Sequence, residues 1–177
     1  MNKVDIKTEE TRAEKIFYKI VVLLGIVAIL IIVLVNVPWG GDKTKIKKEY
    51  EYLEKDHVYI SIKVDEVKER LESKESFHLY IGNNDITDSG YFVYYANQLA
   101  EKYNIKEIYY LNNEKLNDDD ILFLKENTIS SLSMDTPNLI YFEEGSAKRI
   151  SSAEDFDEFY GSNYWLLLED YFENCNK

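Results

Sequence analysis

One cysteine, two prolines, two histidines and no surplus of positive charge mark what this chain cannot do. With Cys175 alone, two positions short of Lys177, neither an internal disulfide nor a C-x-x-C redox or zinc site can form. The thiol is expected in a frayed C-terminal end. The charge is also one-sided. Residues 1–41 carry 5 basic and 4 acidic side chains, whereas the remainder carries 16 and 29, a net −13. A domain so acidic repels phosphate backbones, which excludes nucleic acid as a partner. No internal repeat or low-complexity tract occurs.

What is present begins with "IVVLLGIVAILIIVLVNV", residues 20–37, free of charge and polar only at Asn36. At a rise of about 1.5 Å per residue the run is roughly 27 Å long, close to a bilayer's hydrocarbon thickness. Phe17, Tyr18 and Trp39 flank it as interfacial aromatics do. The run exceeds a signal-peptide core, and "NVPWGG" offers no small-x-small cleavage site, so an uncleaved anchor is expected. Five cationic side chains precede it (Lys3, Lys7, Arg12, Lys15, Lys19) and four follow closely (Lys43, Lys45, Lys47, Lys48). That slight bias, with the short N-terminal tail, places 1–19 in the cytoplasm and the larger part outside the cell membrane. Residues 38–57 are polar and mixed in charge and are expected to form a stalk, helical over 43–55, that carries a domain at 58–177.

Within that domain, "VYISIKV" (58–64), "SFHLYIG" (76–82) and "KEIYYLN" (106–112) predict strands, and "NLIYFEEGSAKRIS" (138–151) predicts a hairpin. Helices are expected at 65–74 with Asp65 as cap, 90–104, 118–127, 152–161 with Ser152 as cap, and 163–175. Phe77, Leu79, Ile81, Ile108, Leu139, Ile140 and Phe142 are the expected strand core. The order β-α-β-α-β-α-β-β-α specifies an α/β fold: a mixed sheet with helices on both faces.

The stretch "FHLYIGNNDITDSGYFVYYANQLAEKYNIKEIYYLN", followed by "DTPNLIYFEEG", resembles the membrane-anchored bacterial thioredoxin-like proteins of the bacteriocin-transport accessory type. The resemblance covers about 58–160. It implies a thioredoxin-like fold, with a redox loop after the second strand and a cis proline at Thr136–Pro137 beside it. Asp135, Thr136 and Pro137 would then form a peptide-binding edge. Here the sequence departs from the family. The cysteine positions fall at Ile86 and Ser89, with Thr87 and Asp88 between, so the loop has no thiolate for exchange. The chain is therefore expected not to be an enzyme, to need no cofactor, and to serve as a redox-inactive accessory or interaction protein of the envelope or an export machine. Two alternatives stand beside this: an oxidoreductase acting with a partner's cysteines or Cys175, and a purely structural subunit of a membrane complex.

Other chemistry fits the loop poorly. "DITDSG" matches a calcium loop at Asp85, Thr87, Ser89 and Gly90, but the terminal glutamate position is Ala96, and no metal site is expected. Ser89 as a nucleophile would need a base. His57 lies at the stalk, and His78 is expected at a solvated edge. Asp88 or Ser89 is instead expected to cap the helix that follows.

Overall fold

The computed structural model describes residues 14, 17, 19–22, 25, 41–153 and 163–175. Almost all of the expected anchor at 20–37, and the helix at 152–161 beyond its first two residues, lie outside them. Among the described residues no helix is long and apolar enough to cross a membrane.

Gly40–Lys177 is one compact unit. Its described elements are α1 (Asp42–Glu49), β1 (Tyr59–Ser61), α2 (Val64–Glu72), β2 (Phe77–Gly82), α3 (Ser89–Lys102), β3 (Ile108–Asn112), a 3-10 turn (Asn113–Lys115), α4 (Asp118–Asn127), β4 (Asn138–Glu143), β5 (Ser146–Ser152) and α5 (Tyr164–Cys175). The strands form one sheet in the order β1-β3-β2-β4-β5. β1, β3 and β2 run parallel, while β4 is antiparallel to β2 and to β5. The fold is thus α/β with a five-stranded mixed sheet flanked by helices.

Period-two alternation divides the strands between two cores. Tyr80, Ile108, Tyr110 and Leu139 face Phe92, Ala96 and Leu99 of α3 and Leu168 and Phe172 of α5. Phe77, Leu79, Ile81, Ile140 and Phe142 face the other way, against Val67 of α2 and Leu124 of α4. All seven expected core residues are buried. On the first face Lys102 of α3 pairs with Glu169 of α5, which also accepts from Trp165 Nε1 at 3.2 Å.

Local chemistry sets several boundaries. β1 stops at Ser61 because the Lys63 N–H is taken by Glu66 Oε2 at 2.9 Å, starting α2 at Val64 with Lys63, not Asp65, as its cap residue. Asn117 and Asp120 cap α4 reciprocally, Asn117 Oδ1 accepting from the Asp120 N–H at 2.9 Å. The β4–β5 turn has Glu144 and Gly145 at φ 50° and 75°, as a two-residue hairpin requires. A Cβ on Gly145 would lie 2.5 Å from the Leu71 carbonyl oxygen, so the close approach itself demands glycine. Ser152, expected to cap a helix, lies in β5.

The largest correction concerns the stalk. Residues 42–57 belong to the folded unit: Ile46, Tyr50 and Leu53 are at most 2% exposed, within the α3/α5-side core. The helix ends at Glu49, short of the expected 55. The lysines that made the segment look like a spacer hold it down. Lys43 Nζ donates to the carbonyls of Asp56 (3.3 Å) and His57, and Lys47 Nζ to that of Leu53. Asp42 Oδ2 accepts from the Ser61 N–H at 2.6 Å, and His57 Nδ1 accepts from the Tyr59 N–H at 3.2 Å. These bonds occupy two N–H groups of the edge strand β1 and blunt that edge against pairing.

Replacing Ile46 with Ala should lower the unfolding free energy by about 2–5 kcal/mol, as for a buried aliphatic side chain. Urea titration followed by circular dichroism measures this; a loss within about 0.5 kcal/mol is what a detached stalk would give.

Candidate functional site

β2 delivers its chain to the segment 83–90, between the sheet and α3. Gly82 closes the strand where a Cβ would lie 2.6 Å from the buried Tyr80 hydroxyl. Asn83 then organises the turn. Its Oδ1 accepts from the N–H groups of Asp85 (2.7 Å) and Ile86 (3.2 Å). Its Nδ2 donates to Asn113 Oδ1 at 2.6 Å, and Asn113 Nδ2 donates to the Met134 carbonyl at 2.6 Å. Two asparagines thereby tie together the loops after β2, after β3 and before β4.

Sequence reasoning missed this clasp, because its partners lie 30 and 21 residues apart. The only local sign is an asparagine just after each of two strand ends.

Ile86 is half-buried, Thr87 and Asp88 are exposed, and Ser89 is 1% exposed. Asp88 occupies the N-cap position with φ 61°, but makes no side-chain capping bond. Its carboxylate instead accepts from the Tyr164 hydroxyl at 3.4 Å. Ser89 is the first residue of the helix, so neither residue caps α3 in the expected way. The Ser89 N–H is held by the Ile86 carbonyl at 3.1 Å.

Neither histidine is placed as a base for Ser89. His57 is fully buried, its Nε2 bonded to the Lys43 carbonyl at 2.9 Å and its Nδ1 to the Tyr59 N–H. Burial holds its pKa below the ordinary value. His78, expected at a solvated edge, is 7% exposed, because β2 is the central strand and helices cover both its faces. Its ring stacks on Tyr141 at 4.9 Å, and Nδ1 bonds the Tyr171 hydroxyl at 2.9 Å. Burial pushes its pKa down to about 4.

Cys175 is not frayed. It ends α5, half-buried against the core, and burial pushes its thiol up to about 12. Among the described residues no three His, Cys, Asp or Glu side chains are grouped to hold a metal ion.

The proline segment differs from expectation. No peptide bond among the described residues is cis, so Thr136–Pro137 is trans. It is also not an edge, because β4 lies between β2 and β5. Its polar groups are engaged: the Asp135 N–H donates to Ser133 Oγ (3.2 Å), the Thr136 carbonyl accepts from Asn138 Nδ2 (2.7 Å), and the Pro137 carbonyl accepts from the Ala153 N–H (3.1 Å). Part of the backbone that an added strand would need is therefore already paired.

A tyrosine cluster underlies the loop. Tyr50 packs edge-on against Tyr80 and Tyr110, with ring centroids 6.3 and 5.9 Å away. The Tyr50 and Tyr80 hydroxyls lie 3.3 Å apart, and Tyr110 donates to Glu49 at 2.7 Å. Burial raises the pKa of Tyr50 to about 12 and that of Tyr110 further, so these phenols stay protonated. At the surface, Tyr52 stacks on Tyr91 at 5.3 Å with an interplanar angle of 17°.

A separate cavity of about 590 Å³ opens beside α1, β1 and α2, lined by apolar Ile62, Val64 and Leu116 among charges of both signs such as Lys45, Lys63 and Glu66. Its near-balanced lining selects no ligand charge.

His78 gives a pH dependence with a definite sign. It is neutral when folded and titrates near 6.5 when unfolded, so its contribution is complete above pH 6.5 and is lost as pH falls towards 4. The loss amounts to roughly 3 kcal/mol at about 1.4 kcal/mol per pKa unit. Urea midpoints measured between pH 7 and 4 should fall less steeply for His78→Gln than for the parent; equal slopes would exclude a buried neutral imidazole.

Compared with protein-family models and with curated proteins, the sequence matches none.

Proposed function

We propose that this chain is a membrane-anchored, redox-inactive thioredoxin-like protein, held by 20–37 with its folded unit outside the cell membrane, where it makes contacts for an envelope or export machine. The strand order β1-β3-β2-β4-β5, with three parallel strands and a terminal antiparallel pair, supports the thioredoxin-like reading. So does the loop that leaves the central strand for the longest described helix, α3.

The observation that carries the redox-inactive reading is the content of that loop. Ile86 and Ser89 stand where exchange chemistry needs two sulfurs, and the asparagine clasp fixes the loop without either. Cys175 does not replace them. It packs by Tyr171, whose hydroxyl meets His78 near the start of β2, whereas the loop leaves the strand's other end. A half-buried thiol titrating near 12 is scarcely ionised at neutral pH.

The purified protein should reduce insulin no faster than dithiothreitol alone; turnover above that blank would overturn the reading. The double variant I86C/S89C should form an internal disulfide under mild oxidation, detected by thiol counting. Two persistent free thiols at those positions would contradict the correspondence with a redox loop.

A further inference from the structure

Four half-buried rings of this domain carry one of the chain's own cations. Arg70 lies 4.2 Å from the centre of the Tyr109 ring, Lys68 lies 5.3 Å from Phe123, and Lys102 lies 5.2 and 5.9 Å from Tyr103 and Trp165. The stacked pair Tyr52–Tyr91 is 48% and 49% exposed, and no cation of the described residues lies over either ring. Two separate elements fix the pair: Tyr52 in the turn after α1, Tyr91 in the first turn of α3. The Tyr52 ring also lies 3.5 Å from where a Cβ of Gly90 would stand, so it packs directly against the start of α3.

The charges on the same two segments are of one sign. Residues 50–54 contain Glu51 and Glu54, residues 83–91 contain Asp85 and Asp88, and neither stretch has a lysine, arginine or histidine. All four carboxylates are exposed, and none has an ion-pair partner among the described residues. Uncovered aromatic faces beside unpaired carboxylates complement a guanidinium or ammonium group: the ring quadrupole attracts it and the carboxylates bond its N–H groups. A further acidic or purely apolar partner would leave the carboxylates uncompensated.

Granting the contact role proposed above, we infer that the Tyr52–Tyr91 platform, with Glu51, Glu54, Asp85 and Asp88, docks an arginine- or lysine-bearing extended segment of a partner protein. One cation lies over a tyrosine face and its neighbours meet the carboxylates. The degenerate loop then contributes carboxylates and the first turn of α3, rather than a reactive group.

The test uses the full chain in non-ionic detergent and a fluorescent peptide of alternating arginine and glycine, with a glutamate–glycine peptide as control, read by anisotropy. The arginine peptide should bind, more weakly as salt rises, and the glutamate peptide should not. Y52A/Y91A should weaken binding about tenfold, while Y52F/Y91F, which keeps the rings, should retain it. D85N/D88N should also weaken it without touching the rings, and D118N/D119N on α4 should leave it unchanged. Circular dichroism confirms that each variant is folded.

Failure of the arginine peptide to bind at low salt would overturn the inference, as would an alanine pair without effect or an equal loss in D118N/D119N. Retention of phosphocholine in place of the arginine peptide would also overturn it, assigning the platform to lipid headgroups. If crosslinked partners persist with Y52A/Y91A, this partner chemistry fails while the contact role stands.

Discussion

Strand β2 is buried along its whole length and on both faces, and most of the architecture follows from that requirement. A strand apolar on both sides needs a helix layer against each. α3 and α5 supply one, α2 and α4 the other. Parallel pairing with β3 forces a long crossover, which is α3, and so the loop at 83–90 must leave from the C-terminal end of the most buried strand. The same burial places His78 among aromatic rings and turns Tyr80 towards Gly82 and Tyr50.

Most of the side-chain amide groups at that strand end are bonded within the chain, although the buried Oδ1 of Asn138 has no partner among the described residues. Buried amides are costly unless bonded, and Asn83 and Asn113 have their carbonyls or N–H groups directed at three converging loops. Beside them, Asn138 directs both donors to the Ser133 and Thr136 carbonyls. A loop held in this way stays in place without a disulfide, a metal or a cis peptide bond. Its outer side chains, Asp85, Thr87 and Asp88, are exposed to serve contacts, as are the rings of Tyr52 and Tyr91 beside it.

How far the sequence could be read depends on the range of the forces involved. Strands with period-two alternation and helices with strong starts were legible. Among the described residues the order of elements from β1 onwards and the seven strand-core residues agree with the structure, and α4 falls at 118–127 as its run of carboxylates indicates. What depended on distant partners was not legible. Lysines at 43 and 47 look solvated until their ammonium groups are seen on carbonyls 6 to 14 residues away, and Ile46 looks incidental until it is found in one core with Leu53 and Tyr110. Alternation around His78 cannot distinguish a central strand from an edge, because pairing partners are absent from the pattern. At the site, the missing sulfur was visible at once, while the clasp and the Tyr52–Tyr91 stack required the fold. Pro137 illustrates the limit of resemblance: a Thr-Pro before a buried strand fitted the family pattern, but the bond is trans.

The central physical claim is that 42–57 and the loop at 83–91 form a single rigid surface on the sheet. Hydrogen–deuterium exchange of the full chain, resolved to individual amides, tests it most directly. Amides bonded within this network, those of Tyr50, Val58, Tyr59, Ser61, Asp85 and Ile86, should exchange far more slowly than free chain, with Tyr50, Val58 and Tyr59 approaching the protection of β2. Rapid exchange across 42–61 with β2 still protected would contradict the claim, returning the segment to a tether and removing Tyr52 from any fixed platform.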